Sequence, residues 1–192
     1  MSHTRIGVLS DTHMPAGLRT MWDEVRVAFE GCDLIFHSGD IVHPMVLDQL
    51  EAWAPVVAAL GNNDFGMQDP RVEETQWLDI EGFRVVMVHD MEPEDEPIDV
   101  LCRRYLRGER ADVMITGHTH MERMDFRDGV LQVNSGSPVH PHLWSTRLGT
   151  VAVLDFEPGE VRARIVRLGE SEGLRNPGIE YAFDGTAVHR LG

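Results

Sequence analysis

Short apolar runs alternate with amphipathic helical patterns over the first sixty residues, and this alternation constrains the fold more than any other feature. The apolar runs cover residues 5–9, 33–37 and 55–60, and helical patterns at 18–29 and 44–53 separate them. Strand–helix–strand units of this length form right-handed crossovers, which build a parallel sheet. The sequence therefore predicts an α/β fold that begins with three parallel strands.

The rest of the chain is richer in strands. Residues 76–80 and 83–88 predict a hairpin, and residues 98–106 predict a helix. Further strands are predicted at 113–116, 122–126, 131–134, 150–156 and 161–168. No repeat or linker interrupts the pattern, so we expect a single domain over residues 1–168. We interpret residues 169–192 as a C-terminal tail that packs on the domain or is partly disordered.

Charge and composition exclude several classes of function. All 17 basic residues are Arg, so neither a Schiff-base lysine nor a standard P-loop is available. The formal net charge of −15 argues against binding of extended nucleic acid or of a membrane surface. The longest apolar stretches are too short to span a bilayer, and no signal peptide is visible. We therefore expect a cytoplasmic protein.

Residues that bind metal ions follow the predicted strands directly. They are Asp11, His13, Asp40, Asn62, His89, His118 and His120. Because the carboxyl ends of parallel strands open into a common crevice, these side chains are expected to meet there. A single pair would be explained as a polar turn, whereas the whole set predicts a metal site. Mixed carboxylate, imidazole and amide ligands suit Mn²⁺, Fe²⁺ or Zn²⁺, and the absence of thiolates disfavours a structural zinc site.

The motifs around these residues resemble the signature of the calcineurin-like metallophosphoesterase superfamily. In chain order they read Asp11-Thr12-His13, Gly39-Asp40, Gly61-Asn62-Asn63-Asp64, His89 and Gly117-His118-Thr119-His120. The small size and the segment at 134–137 are similar to the compact bacterial and archaeal phosphodiesterase branch. The resemblance implies a four-layer αββα sandwich and a binuclear metal centre.

The resemblance also implies a role for each ligand. One divalent ion would be held by Asp11, His13 and His120, and the other by Asn62, His89 and His118. Asp40 would bridge the two ions, for which Mn is favoured and Fe, Zn or Ni are alternatives. A hydroxide between the ions would then attack the phosphorus of a small phosphodiester.

Asn63 occupies a position where many members of the superfamily carry His. An Asn side chain can donate a hydrogen bond to a phosphoryl oxygen but cannot act as a general acid near pH 7. This departure favours a phosphodiesterase, whose leaving group depends less on a proton; the alternative is that Asn63 only shapes the turn. Two other functions stay open, namely a phosphomonoesterase or nucleotide phosphatase, and a protein-interaction scaffold like the retromer subunit that resembles this superfamily.

Five further polar residues lie near the motifs. Asp90 either orients an imidazole or ends its strand. His37 is expected in the core or behind the metal ligands. His43, His140 and His142 either line the site or lie on the surface.

Overall fold

The computed structural model describes residues 2–14 and 18–191, which form two β-sheets and three α-helices. The strands are β1 (Thr4–Leu9), β2 (Leu34–His37), β3 (Val56–Ala59), β4 (Val72–Glu73), β5 (Gln76–Ile80), β6 (Phe83–Met87), β7 (Val113–Thr116), β8 (Glu122–Arg127), β9 (Val130–Ser135), β10 (Thr150–Glu157), β11 (Glu160–Arg167), β12 (Tyr181–Phe183) and β13 (Val188–Arg190). The helices are α1 (Asp23–Ala28), α2 (Met45–Glu51) and α3 (Ile98–Tyr105), and Pro141–Leu143 forms a short 3₁₀ turn. None of the helices in the described part of the chain is long and apolar enough to cross a membrane.

Both sheets are mixed: the parallel strands form one half of the first sheet and the centre of the second. The first sheet has the order β13-β12-β11-β10-β1-β2-β3-β4, in which β1 to β4 run parallel and the remaining strands pair antiparallel. The second sheet has the order β5-β6-β7-β9-β8, with β6, β7 and β9 parallel. The three parallel strands predicted for the first sixty residues are confirmed.

Three apolar cores separate four layers of structure. The inner core lies between the sheets, where Ile6 and Phe36 of the first sheet pack with Val85 and Ile115 of the second. Helices α1 and α2 cover the outer face of the first sheet, and α3 covers the outer face of the second. Strand β7 is buried along its whole length because both faces of its sheet are covered. This arrangement confirms the predicted αββα sandwich.

Helix α1 is shorter than the helical pattern at 18–29 predicts. The side chain of Gln49 accepts a hydrogen bond from the backbone N of Met21 (3.0 Å) and donates one to the carbonyl of Arg19 (3.1 Å). These bonds hold the backbone before α1 outside the helix, while Met21 is still buried in the outer core. The apolar spacing therefore predicts which side chains are buried but not where the helix begins.

Strands β12 and β13 extend the first sheet at its edge. Strand β12 pairs antiparallel with β11, and β13 pairs antiparallel with β12. Each has only three residues, which is too short for an alternating pattern to be recognised in the sequence. The division of the chain at residue 168 stays a prediction, and Gly192 lies outside the described residues.

Candidate metal centre

Five strand ends bring the seven predicted ligands to one edge of the sandwich. Asp11 and His13 follow β1, Asp40 follows β2 and Asn62 follows β3, all from the first sheet. The second sheet contributes His89 after β6, and His118 and His120 after β7. The site therefore lies where the carboxyl ends of the parallel strands of both sheets meet.

Most of these residues have a backbone conformation that L-residues adopt rarely. The φ angles in the left-handed region are those of Asp11 (55°), His13 (45°), Asp40 (57°), His118 (71°) and His120 (57°). Asp and His are among the residue types that tolerate this region best. Such strained conformations cluster at functional sites, where the surrounding structure holds them in place.

Two motif glycines are required because another loop lies directly against each of them. A Cβ at Gly61 would lie 2.0 Å from the backbone N of Asp40, and a Cβ at Gly117 would lie 1.9 Å from Ser10 Oγ. Any larger residue at either position would push apart two of the strand ends that carry candidate ligands. The glycines thus set the distance between the ligand loops.

The first group of donors consists of Asp11, His13 and His120. The Nε2 atoms of His13 and His120 lie 3.1 Å apart, and His120 Nε2 lies 3.6 Å from Asp11 Oδ1. Asp11 is completely buried and also accepts a hydrogen bond from the backbone N of His118 (3.0 Å). These three side chains each offer one atom within the distance that a single metal ion spans.

The second group is centred on the side-chain oxygen of Asn62. Asn62 Oδ1 lies 3.0 Å from His89 Nε2 and 2.9 Å from His118 Nδ1. His89 Nε2 also lies 3.4 Å from Asp40 Oδ1. One amide oxygen, two imidazoles and a carboxylate therefore converge on a second point.

Asp40 lies between the two groups. Its Oδ2 is 3.3 Å from His13 Nε2, and its Oδ1 is 3.4 Å from His89 Nε2. Asn63 donates to both carboxylate oxygens, from its backbone N (2.8 Å) and from its side-chain Nδ2 (2.6 Å). Burial alone would raise the pKa of Asp40, but the hydrogen bonds from His89 and Asn63 hold it well below its usual range. Asp40 is therefore an anion that faces both donor groups.

Hydrogen bonds behind two of the imidazoles determine which ring nitrogen faces the site. His89 Nδ1 lies 2.7 Å from the carbonyl of Ser38, and His120 Nδ1 lies 2.9 Å from the carbonyl of His140. We assign the Nδ1 proton to these bonds, which leaves the Nε2 atoms directed inward, as in metal-binding histidines. Burial lowers the pKa of His120 to about 4, so its imidazole is neutral and its Nε2 carries a lone pair at pH 7.

The electrostatics of the site fit a bound cation. Burial raises the pKa of Asp11 to about 7, because its carboxylate has too little positive charge near it. Burial by itself would lower the pKa of His89, yet the carboxylates of Asp40 and Asp11 raise it. A cation bound between these carboxylates and imidazoles would favour the ionised form of Asp11 and the neutral form of His89. The residues present therefore fit divalent metal ions.

Asp64 supports the site without contributing a ligand. Its carboxylate accepts hydrogen bonds from the backbone N atoms of Gly61 (2.7 Å), Asp40 (3.1 Å) and Val42 (2.6 Å), so it ties the loop after β3 to the loop after β2. The sequence shows Asp64 only as the last residue of its motif. Two of its three hydrogen bonds come from the loop after β2, and no pattern in the sequence shows that this loop lies next to Asp64.

Ser137 has a similar role on the other side of the site. Its hydroxyl donates to the carbonyl of Asp11 (2.8 Å) and accepts from the backbone N of His140 (2.8 Å). This links the loop after β9 to the loop after β1. In the sequence, only the family resemblance points to the segment at 134–137.

The remaining polar residues are spread over different environments. His37 is buried next to Thr12 Oγ1 (3.1 Å), and His43 is exposed, where it accepts a hydrogen bond from the backbone N of Met45 (3.1 Å). His142 pairs with Glu122. Asp90 Oδ1 accepts a hydrogen bond from the backbone N of Glu92 (2.8 Å), and its carboxylate lies near His118.

A cleft of about 460 Å³ opens above the donor groups. Its walls are formed by His13, Asp40, Asn62, Asn63, His118, His120, His140 and Leu143. This volume lies within the range of small-molecule binding sites.

The fold and the donor set together define an α/β protein with a candidate centre for divalent metal ions. Residues 4–159 match the model of the calcineurin-like phosphoesterase superfamily domain. The chain belongs to this superfamily, as the sequence motifs predict.

Two curated relatives and one solved structure illustrate the relationship. The chain is 37% identical over 168 residues to a probable metallophosphoesterase of Methanothermobacter thermautotrophicus, which covers 85% of this chain and 92% of that protein. It is 28% identical over 176 residues to a phosphodiesterase of Methanocaldococcus jannaschii, which covers 82% of this chain and 96% of that protein. Vacuolar protein sorting 29 from Cryptosporidium parvum superposes with a TM-score of 0.71 at 17% identity, covering 99% of this chain and 98% of that one, and at this identity it is similar in fold alone.

Proposed function

We propose that the protein is a phosphodiesterase that uses two divalent metal ions. The observation that carries this proposal is the position of Asp40, whose two carboxylate oxygens face two separate groups of donors. A carboxylate shared in this way is the arrangement that a binuclear centre needs.

Each donor group would hold one ion. Asp11, His13 and His120 form the first set, Asn62, His89 and His118 form the second, and Asp40 belongs to both. Oxygen and imidazole donors without thiolates favour Mn²⁺, with Fe, Zn or Ni as alternatives. When bound, such ions lower the pKa of a coordinated water toward neutrality and stabilise the charge that develops on a phosphoryl group.

The chain's own residues would orient the substrate in the cleft. Asn63 lies in its wall, where its side-chain amide can donate to a phosphoryl oxygen. Because Asn63 cannot supply a proton to a departing alkoxide near pH 7, the site favours diesters and esters with good leaving groups. The phosphodiesterase named among the curated relatives supports the same choice.

Turnover of bis-(p-nitrophenyl) phosphate and of p-nitrophenyl phosphate by the purified protein tests the proposal. We expect faster turnover of the diester with Mn²⁺, loss of activity after prolonged treatment with EDTA, and recovery on addition of Mn²⁺. Faster turnover of the monoester would indicate the phosphomonoesterase instead. A protein that binds no metal and hydrolyses neither ester would favour the scaffold.

A further inference from the structure

Two parts of the cleft differ in chemistry. At one end, the ring of His140 meets the ring of His13 edge to face, with 5.9 Å between their centroids, and Leu143 completes the wall. Beside His118, which forms another part of the wall, the exposed carboxylate of Glu92 lies 3.5 Å from His118 Nε2. The end at His140 and Leu143 is therefore aromatic and apolar, and the surface beside His118 is acidic.

The exposure of Leu143 is not explained by packing in the core. It is 69% exposed, and its φ angle of 62° puts an aliphatic residue in the left-handed region. The preceding residue, His142, has a φ of 54°, so two consecutive residues carry this strain. Strain that persists beside a candidate active site points to a requirement of function.

The loop that carries Leu143 is anchored to two other segments of the chain. The backbone N of His142 donates to the carbonyl of His120 (2.9 Å), and the imidazole of His142 lies 3.0 Å from the buried carboxylate of Glu122. The backbone N of His140 donates to Ser137 Oγ (2.8 Å), which fixes the backbone that carries the ring. The aromatic and apolar end of the cleft is thus formed before a substrate arrives, which reduces the entropy lost on binding.

We propose that Leu143 and the ring of His140 bind the ester group of the substrate and select diesters with an apolar or aromatic group. This inference rests on the proposed function, because it requires the phosphoryl group to lie over the donor groups. An aromatic ring placed there would contact the imidazole of His140 and cover the side chain of Leu143.

The charges around the cleft limit the substrate to one phosphate. None of the described residues that line it is Arg, and the chain contains no Lys. A second phosphate beside His118 would meet the carboxylate of Glu92 rather than a cationic side chain. The substrate class is therefore a monoanionic diester of small alcohols, at least one of them apolar or aromatic.

Calorimetry on the Mn²⁺-loaded protein tests this inference with diphenyl phosphate and dimethyl phosphate as probes. We expect the wild type to bind diphenyl phosphate at least about tenfold more tightly. In Leu143→Asn, which keeps a similar size and favours a positive φ, this preference should fall about three- to fivefold. Leu143→Met should retain it, and Val27→Ala on the exposed face of α1 is the matched control.

Each result bears on the inference in a different way. Equal affinity of the wild type for the two probes, or an unchanged preference in Leu143→Asn, would overturn the inference while leaving the proposed function intact. If neither probe binds the Mn²⁺-loaded protein and neither p-nitrophenyl ester is hydrolysed, the proposed function and the inference both fail. Loss of the preference in Leu143→Asn, with Leu143→Met and Val27→Ala unchanged, supports it.

Discussion

The floor and the rim of the cleft are built in different ways. We define the floor as Asp11, Asp40, His89 and His120, whose side chains are at most 9% exposed. We define the rim as Asn63, Glu92 and Leu143. Floor side chains follow the strand ends and form hydrogen bonds with neighbouring loops, whereas rim side chains are more exposed.

This difference separates two tasks. The floor positions its donors before any ligand binds, because the sheets that carry it are packed on both faces. The rim can vary in sequence without disturbing the packing, so it is suited to choosing a substrate. Changes in the floor should therefore affect metal binding and all activities together, and changes in the rim should affect one substrate relative to another.

Asp40→Asn should have the largest effect. The amide removes the negative charge that both donor groups share, so we expect loss of at least one metal ion and a fall in diesterase activity of at least about 10³-fold. Metal content by mass spectrometry and turnover of the diester measure the two effects. Asp23→Asn on α1, where the side chain is 89% exposed, is the control with the same chemical change. A variant that keeps two ions and nearly normal turnover would remove Asp40 from the bridging position.

Asp11→Asn should have opposite effects on stability with and without metal. In the metal-free protein, burial raises the pKa of Asp11 from 3.8 to about 7. The folded state then holds a proton that the unfolded state releases, so the stability contributed by this proton is present below pH 3.8 and is lost as the pH rises through 7. The metal-free variant avoids this loss.

At pH 8 the metal-free variant should therefore be more stable than the metal-free wild type by about 1–3 kcal/mol, with a smaller difference at pH 4. Addition of Mn²⁺ should reverse the order, because only the wild type retains the Asp11 ligand. Urea unfolding at the two pH values, with and without Mn²⁺, measures the differences. A destabilised metal-free variant at pH 8 would show that Asp11 has a compensating partner in the folded protein.

The sequence predicts the floor better than the rim for a physical reason. A residue that directly follows a buried parallel strand has its position determined by the strand, as Asp11 and His89 show. The contact between Glu92 and His118 joins two separate loops, and no periodic pattern specifies where such loops meet. The exposed position of Leu143 depends on the anchors of its loop, which lie far away in the chain.

The same limit applies to the fold. Continuous apolar runs predict the parallel strands, because a strand that is buried on both faces has apolar residues at nearly every position. The start of α1 depends on the side chain of Gln49, which is distant in sequence. A local pattern contains no information about that contact.

Asn63→His should have the smallest effect, because it changes a rim residue and only one of the hydrogen bonds to Asp40. General acid catalysis contributes roughly 10²–10⁴-fold where the donor is well placed, and an unoptimised imidazole should contribute less. We expect the ratio of monoesterase to diesterase activity to rise by about three- to tenfold, with metal content unchanged, because the monoester of a poor leaving group depends most on a proton.

The substitution also removes the Nδ2 hydrogen bond to Asp40 (2.6 Å), so Asn63→Gln, which retains an amide but has no titratable proton, is the matched control. Rates for a series of esters that differ in leaving-group pKa should depend less steeply on that pKa in Asn63→His than in Asn63→Gln. Equal changes for both classes of ester would place Asn63 away from the leaving group and confine its role to holding Asp40.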